Sequence, residues 1–180
     1  MSQFTEDKTV RDFVRDLVTA SLDVQFVPGK QLPRAASDVL LEAPLRAALI
    51  ALNPTIAKNE SYADDVLHQL RTILISARTQ PHPVVANEHF VAWLTGQRSM
   101  PFGPNGEHVT IRLIDFDDPG HGSSNQWIFS TEVTFTQGRV EKRFDHVLWC
   151  NGFPLVVGEA KTATRPAYTW VDGAAQIHDD

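Results

Sequence analysis

The chain is short of several residues and patterns that mark common protein classes. It has one cysteine, Cys150, and no long apolar run. A single cysteine excludes a disulfide within the chain, which favours the reducing cytoplasm. No segment is long and apolar enough to predict a transmembrane helix, and the first residues lack the charged-then-apolar order of a secretory signal. We therefore expect a cytoplasmic protein with no membrane partner.

Signatures of nucleotide and transition-metal sites are also missing. Gly29-Lys30 is followed by Gln31 and has no glycine five residues earlier, so it is not a phosphate-binding loop. The seven histidines show no ligand spacing with one another or with Cys150. No basic residue adjoins Cys150 in the sequence, which favours a small core residue over a nucleophile.

The charge balance limits how this chain could hold nucleic acid. It has 16 basic and 22 acidic residues, which gives a net charge of −6. DNA affinity depends on neutralising phosphates, so a chain that acts on DNA needs either a local basic patch or other domains and subunits that deliver the DNA. We favour delivery by other domains and subunits. The patch would consist of Arg139, Lys142, Arg143, Lys161 and Arg165.

The hydrophobic pattern predicts an α+β fold with the helices first. Helical spacing of apolar residues covers about 7–22, 40–52, 61–78 and 87–95. Strand-like alternation then covers about 109–116 and 127–135 and leads into a hairpin, which predicts a meander of about four antiparallel strands. We expect one domain, 1–180, with 1–100 mostly helical and packed on a mainly antiparallel mixed sheet within 107–180.

A buried hairpin is the central feature of the second half. Asn151-Gly152 separates two apolar runs, 147–150 and 153–157. Asn-Gly between β-rich runs is the strongest short hairpin signal, because both residues tolerate a positive φ. Near-continuous apolar runs are typical of strands that are buried on both faces.

Three charged residues lie at the open end of this hairpin. Asp145 is on the first arm, and Glu159 and Lys161 are on the second. Carboxylates are hard oxygen ligands that suit Mg²⁺, which activates water and clamps a phosphate, and a lysine beside them can orient the attacking water. We therefore interpret Asp145, Glu159 and Lys161 as catalytic residues for phosphodiester hydrolysis, with Asp145 and Glu159 as the metal ligands.

The register of the hairpin tests this interpretation. A strict two-residue turn pairs Cys150 with Phe153 and hence Asp145 with Gly158, which would point Glu159 to the opposite face of the sheet. A shared metal ion requires both carboxylates on one face. We therefore predict a three-residue loop or a one-residue bulge in the hairpin.

The pattern D-x₁₃-E-x-K is that of the PD-(D/E)xK nucleases, and residues 144–161 match a longer signature. The stretch FDHVLWCNGFPLVVGEAK resembles the nuclease motif of type I restriction enzyme R subunits. The resemblance extends upstream through Leu52-Asn53-Pro54, Asn87-Glu88-His89-Phe90, Ile111-Arg112-Leu113-Ile114-Asp115-Phe116 and Asn125. Three positions depart from the family pattern. Phe144 replaces a proline, Gly158 replaces a bulky aliphatic residue, and Glu132 stands where a glutamine is expected.

This resemblance implies the cutting domain of an ATP-dependent restriction enzyme. It implies Mg²⁺ as the cofactor, double-stranded DNA as the substrate, and methyltransferase and specificity subunits as partners. ATP would be used only by the motor that follows this domain in the longer R subunit. The αβββαβ core that these nucleases share is not complete by residue 180, so we expect an N-terminal fragment or a truncated product. RecB-like relatives use a glutamine on the following helix, and Gln176 matches it. Glu88 is a second possible accessory residue.

Less specific interpretations remain open. A chain of this size contains roughly one E-x-K by chance, and Glu6-Asp7-Lys8 is a second example. A different PD-(D/E)xK repair or junction nuclease is the enzyme alternative. The alternative of another class is a non-catalytic subunit-docking module, in which the helical half binds partner subunits and the hairpin acids are relics. For Glu88 alone, the ordinary role is to favour a helix N-terminus.

Overall fold

A computed structural model describes residues 10–79, 83–117, 124–160, 171 and 174–175. The chain divides into two compact units. The sheet unit combines Met1–Leu41 with Gln126–Asp180, and the helical unit is Glu42–Asn125. None of the helices in the described ranges combines the length and apolarity that a membrane crossing requires.

The elements follow one another in the order expected for an α+β protein. In chain order they are α1 (Asp12–Ser21), β1 (Gln25–Phe26), a 3₁₀ turn (Gly29–Gln31), α2 (Glu42–Leu52), α3 (Pro54–Lys58), α4 (Ser61–Thr79), α5 (Pro83–Leu94), β2 (Ser99–Met100), β3 (Val109–Thr110), β4 (Trp127–Gln137), β5 (Val140–Cys150) and β6 (Phe153–Gly158). The predicted α+β class with a mixed sheet is confirmed.

The sheet unit is built on four strands in the order β1-β4-β5-β6. β1 runs parallel to β4, and the other neighbours are antiparallel. The long apolar strands pack against residues of the first segment of this unit, which supplies Leu32 and Leu41 to the core. The core cluster of this unit consists of Leu32, Leu41, Ile128, Val133, Val147 and Trp149.

The helical unit is held together by apolar helix faces and one buried amide. α2 and α4 bury residues such as Leu45, Leu49 and Leu70 completely. The Asn53 side chain donates to the carbonyl oxygens of Leu49 (2.9 Å) and Arg112 (2.8 Å) and accepts from the Arg112 N–H (2.8 Å). Asn53 therefore ends α2 and anchors residue 112, as a buried polar group must find partners.

The predicted strand over 109–116 is wrong beyond its first two residues. Val109–Thr110 pairs with Ser99–Met100 in a separate two-stranded sheet. The residues that follow, including Ile111 and Leu113, are buried without being in a strand. Alternating burial in an extended coil gives the same sequence pattern as a strand. The main sheet instead takes its fourth strand, β1, from residues for which the sequence pattern predicted neither a helix nor a strand.

Candidate active site

The turn of the β5–β6 hairpin is buried and fixed by hydrogen bonds. Asn151 (φ 49°) and Gly152 (φ 84°) both have the positive φ of a type I′ turn. The Asn151 Oδ1 accepts from the Gln126 N–H (2.7 Å), and the Asn151 N–H donates to the Gln126 carbonyl (2.8 Å). The Leu41 N–H donates to the Gly152 carbonyl (2.9 Å). These bonds hold the turn in place, so that Cys150 pairs with Phe153.

A one-residue bulge follows the turn, as predicted. Trp149 pairs with Pro154, but the next pair is Leu148 with Val156, so the register shifts by one and Leu155 is the extra residue. The ladder then continues to the pair of His146 with Gly158. One step further, the same register sets Asp145 opposite Glu159. Directly opposite residues of an antiparallel pair point to one face, so the one-residue shift at the bulge is the shift that Asp145 and Glu159 need in order to share a face.

A hydrogen bond fixes the Asp145 carboxylate beside the end of β6. Its Oδ2 accepts from the backbone N–H of Ala160 at 2.9 Å, and Ala160 is buried. Asp145 and Glu159 are themselves only partly buried. Within the described part of the chain, the second oxygen, Oδ1, has no hydrogen bond or ion pair. The carboxylate is therefore oriented by one oxygen and presents the other at a partly exposed position.

The donor set fits Mg²⁺ better than it fits a transition metal. Among the described residues, no group of three or more His, Cys, Asp or Glu side chains is arranged to hold a metal ion. Asp145 and Glu159 offer two carboxylates at one level of the sheet. Mg²⁺ is commonly held by one or two carboxylates and keeps several waters, which leaves positions for substrate phosphates.

Two further residues of β5 have structural roles. The buried His146 hydrogen-bonds through Nε2 to the Arg11 carbonyl (3.3 Å) and stacks on Phe129 with ring centroids 5.6 Å apart. Cys150 is fully buried, and burial raises the pKa of its thiol to about 12. The thiol therefore stays neutral, and the prediction that Cys150 is a core residue is confirmed.

The other predicted site residues are not tested by the geometry. Lys161 and Gln176 lie outside the described residues. Glu88 is exposed on α5 in the helical unit. The roles of these three residues remain predictions.

The sequence analysis did not predict the unusual backbone conformation of Glu132. This residue lies in the middle of β4 with φ 55°, in the left-handed region that glycine and asparagine favour. The Glu132 Oε1 lies 3.1 Å from the Arg11 guanidinium and 3.6 Å from that of Arg143. The only sequence signal was its departure from the glutamine of the family pattern, since a glutamate within a β-rich run gives no sign of a left-handed backbone.

The chain matches a family of known proteins over nearly its whole length. A family model described as "Type I restriction enzyme R protein N terminus" matches residues 3–180. The chain belongs to this family. No curated protein and no solved structure matched the chain. The matched region includes Asp145 and Glu159, so both residues lie within the N-terminal region of an R protein.

Proposed function

We propose that this chain is the endonuclease domain of an ATP-dependent type I restriction enzyme R subunit. It hydrolyses phosphodiester bonds of double-stranded DNA with Mg²⁺ as the cofactor and acts in the cytoplasm. Membership of the R protein family supports this proposal. The observation that supports it is the bulge in the hairpin, after which His146 pairs with Gly158, a register that would set Asp145 opposite Glu159 one step further.

Each residue of the site has a distinct task in this proposal. Asp145 and Glu159 hold the metal ion, and the Ala160 N–H keeps the Asp145 carboxylate in its orientation (2.9 Å). When bound, Mg²⁺ supplies Lewis-acid activation of water and clamps the scissile phosphate. Lys161 positions the nucleophilic water and offsets negative charge on the phosphate. Gln176 and Glu88 are accessory residues at most.

The proposed partners follow from the charge of the chain. With a net charge of −6, the chain is a poor DNA-binding protein by itself, because phosphate neutralisation dominates affinity. Two of the candidate basic residues are already engaged, Lys142 over the Phe144 ring (5.5 Å) and Arg143 with Glu132 (3.6 Å). The methyltransferase and specificity subunits therefore deliver the DNA, and a motor elsewhere in the R subunit consumes the ATP.

Alanine substitutions in the assembled restriction complex test this function. We expect Asp145→Ala, Glu159→Ala and Lys161→Ala each to abolish DNA cleavage, because each removes a metal ligand or the group that positions water. ATP hydrolysis is expected to continue at the wild-type rate, since the motor is separate. The measurements are cleavage of a plasmid with one recognition site and release of phosphate from ATP.

Glu141→Ala is the matched control. Glu141 is an exposed acid on β5, four residues before Asp145, and pairs with Thr136. Its substitution removes the same charge from the same strand and should leave cleavage unchanged. Cleavage by Asp145→Ala at the wild-type rate would remove the nuclease assignment and favour the docking module instead, as would a Mg²⁺ titration that shows no binding dependent on Asp145.

A further inference from the structure

The backbone of Glu132 is an exception within an otherwise extended strand. Its φ of 55° lies in the left-handed region, and Asn151 in the hairpin turn is the other non-glycine example among the described residues. Asparagine in a type I′ turn is expected. A glutamate in the middle of a strand is not, and residues in such sparsely populated conformations persist only where the surrounding structure holds them.

The register places this exception directly beside Asp145. Thr131 pairs with His146, and Val133 pairs with Phe144. Between these two pairs Glu132 stands opposite Asp145, and the ladder has no pair at that level. The three acids Glu132, Asp145 and Glu159 thus occupy one level across β4, β5 and the end of β6.

The core shows that both strands change face near this level. Ile128 and Val133 of β4 belong to one core cluster with Val147 of β5, and Phe144 packs against it. Residues of a regular strand that share a face are an even number of positions apart, whereas Ile128 and Val133, like Phe144 and Val147, are an odd number apart. The interval on β4 contains Glu132, and the interval on β5 contains Asp145.

Contacts on two sides hold Glu132 in this conformation. On one side, a Cβ added to Gly29 would lie 2.5 Å from the Glu132 carbonyl oxygen and 2.7 Å from that of Thr131, so only glycine allows this approach. On the other side, the Glu132 carboxylate is tied to Arg11 (3.1 Å) and Arg143 (3.6 Å). Gly29 therefore limits the backbone, while the two guanidinium groups retain the side chain.

We propose that Glu132 is a positioning residue for Asp145. Its carboxylate, tied to Arg11 and Arg143, retains the left-handed backbone, and that backbone sets the level and face at which Asp145 leaves β5. This inference rests on the proposed nuclease function, because it assigns Asp145 to the metal site. Glu132 itself does not touch the metal or the DNA in this role.

Two variants that both lack the carboxylate distinguish the effect of the left-handed backbone from the effect of the charge at position 132. In Glu132→Ala the tie is lost while a positive φ remains unfavourable, so the backbone shifts locally at this position and Asp145 shifts with it. In Glu132→Gly the tie is also lost, but glycine adopts a positive φ readily, so Asp145 stays. We expect the alanine variant to cut about 10- to 100-fold more slowly, the usual effect of losing a group that orients a metal ligand, and the glycine variant to stay within a few-fold of wild type.

Measurements in the assembled complex distinguish positioning from general stability. The alanine variant should need more Mg²⁺ for half-maximal cleavage, while its thermal unfolding and its affinity for DNA stay near wild type. Glu132→Gln keeps the length and hydrogen-bonding capacity of the side chain and should restore most of the rate. If the alanine variant fails to fold, Arg11→Met, which removes the closer of the two guanidinium groups that hold the Glu132 carboxylate (3.1 Å), replaces it in the comparison.

Asp145→Ala in the same series shows which proposal has failed. Wild-type cleavage by Glu132→Ala, or an equal loss in Glu132→Gly and Glu132→Ala, overturns the positioning role while loss of cleavage in Asp145→Ala still supports the nuclease. Wild-type cleavage by Asp145→Ala overturns the nuclease function itself, and the positioning role with it.

Discussion

At its turn, the β5–β6 hairpin is fully buried, whereas at its open end it is charged and partly exposed. Trp149, Cys150 and Phe153 at the turn have no exposed surface. Asp145 and Glu159 at the open end are partly exposed, with a bulge between them and the turn and the left-handed Glu132 opposite Asp145.

This difference shows how one hairpin can contribute to stability at one end and to the proposed site at the other. The apolar turn supplies burial, which is the main favourable term in folding. The bulge at Leu155 lies between the turn and the open end and shifts the register of the residues beyond it, and bulges are frequent beside active sites because they redirect side chains. Changes at the turn should therefore lower stability, and changes at the open end should lower activity.

Inserting one alanine between Val157 and Gly158 should have the largest effect. The ladder up to Val157 stays in register, but Asp145 then faces Gly158, and Glu159 points to the other side of the sheet. We expect cleavage to fall roughly 100-fold or more, since a displacement of about 1 Å at a reacting centre can already cost that much. Plasmid cleavage by the assembled complex measures the effect.

Deleting Leu155 is the control for this insertion. Leu155 is the extra residue of the bulge and is 41% exposed. Its removal keeps Leu148 opposite Val156 and hence Asp145 opposite Glu159, so cleavage should persist. Equal loss of cleavage in both variants would mean that register is not what the site requires.

Trp149→Ala should cause the largest loss of stability at the turn. The Trp149 ring is completely buried, stacks on Phe135 (6.1 Å) and lies 5.7 Å from the Arg34 guanidinium. We expect the free energy of unfolding to fall by about 3–5 kcal/mol, as for other buried aromatic residues. Urea denaturation followed by circular dichroism measures it.

Val156→Ala on the same hairpin provides the comparison. Val156 is 55% exposed, so its truncation should change the free energy of unfolding by no more than about 0.5 kcal/mol. Similar losses in both variants would contradict the assignment of stability to the buried turn.

The smallest expected effect concerns the Cys150 thiol. Burial raises its pKa from 9.0 to about 12, so above pH 9 the unfolded chain loses this proton before the folded chain does. The stabilisation is complete below pH 9 and is lost as the pH rises towards 12, by roughly 1 kcal/mol at pH 10. Denaturant curves of wild type and Cys150→Ala measure the difference, and identical pH dependence in the two proteins would disprove it.

Local sequence signals predicted the hairpin well because its chemistry is local. Asn151-Gly152 specifies a type I′ turn by itself, and the demand that Asp145 and Glu159 share a face predicted the bulge. The bounds of α2 and α4 followed from apolar spacing.

Features that depend on distant contacts could not be predicted in this way. β1 has only two residues, Gln25 and Phe26, and exists because Ile128 and Phe129 of β4 offer it an edge. The left-handed backbone of Glu132 depends on Gly29 and on two arginines from other segments. No pattern within residues 127–137 contains that information.

The division of the sheet unit into two segments of chain affects the order of folding. Gln25 must find Ile128, and Leu41 must find Gly152, after the whole helical unit has been made. As the chain leaves the ribosome, the helical unit has all its own contacts once Asn125 has emerged, whereas the first 41 residues wait for their partners. Such long-range pairing slows folding and leaves apolar residues such as Leu32 and Leu41 exposed during synthesis, where chaperones would bind them.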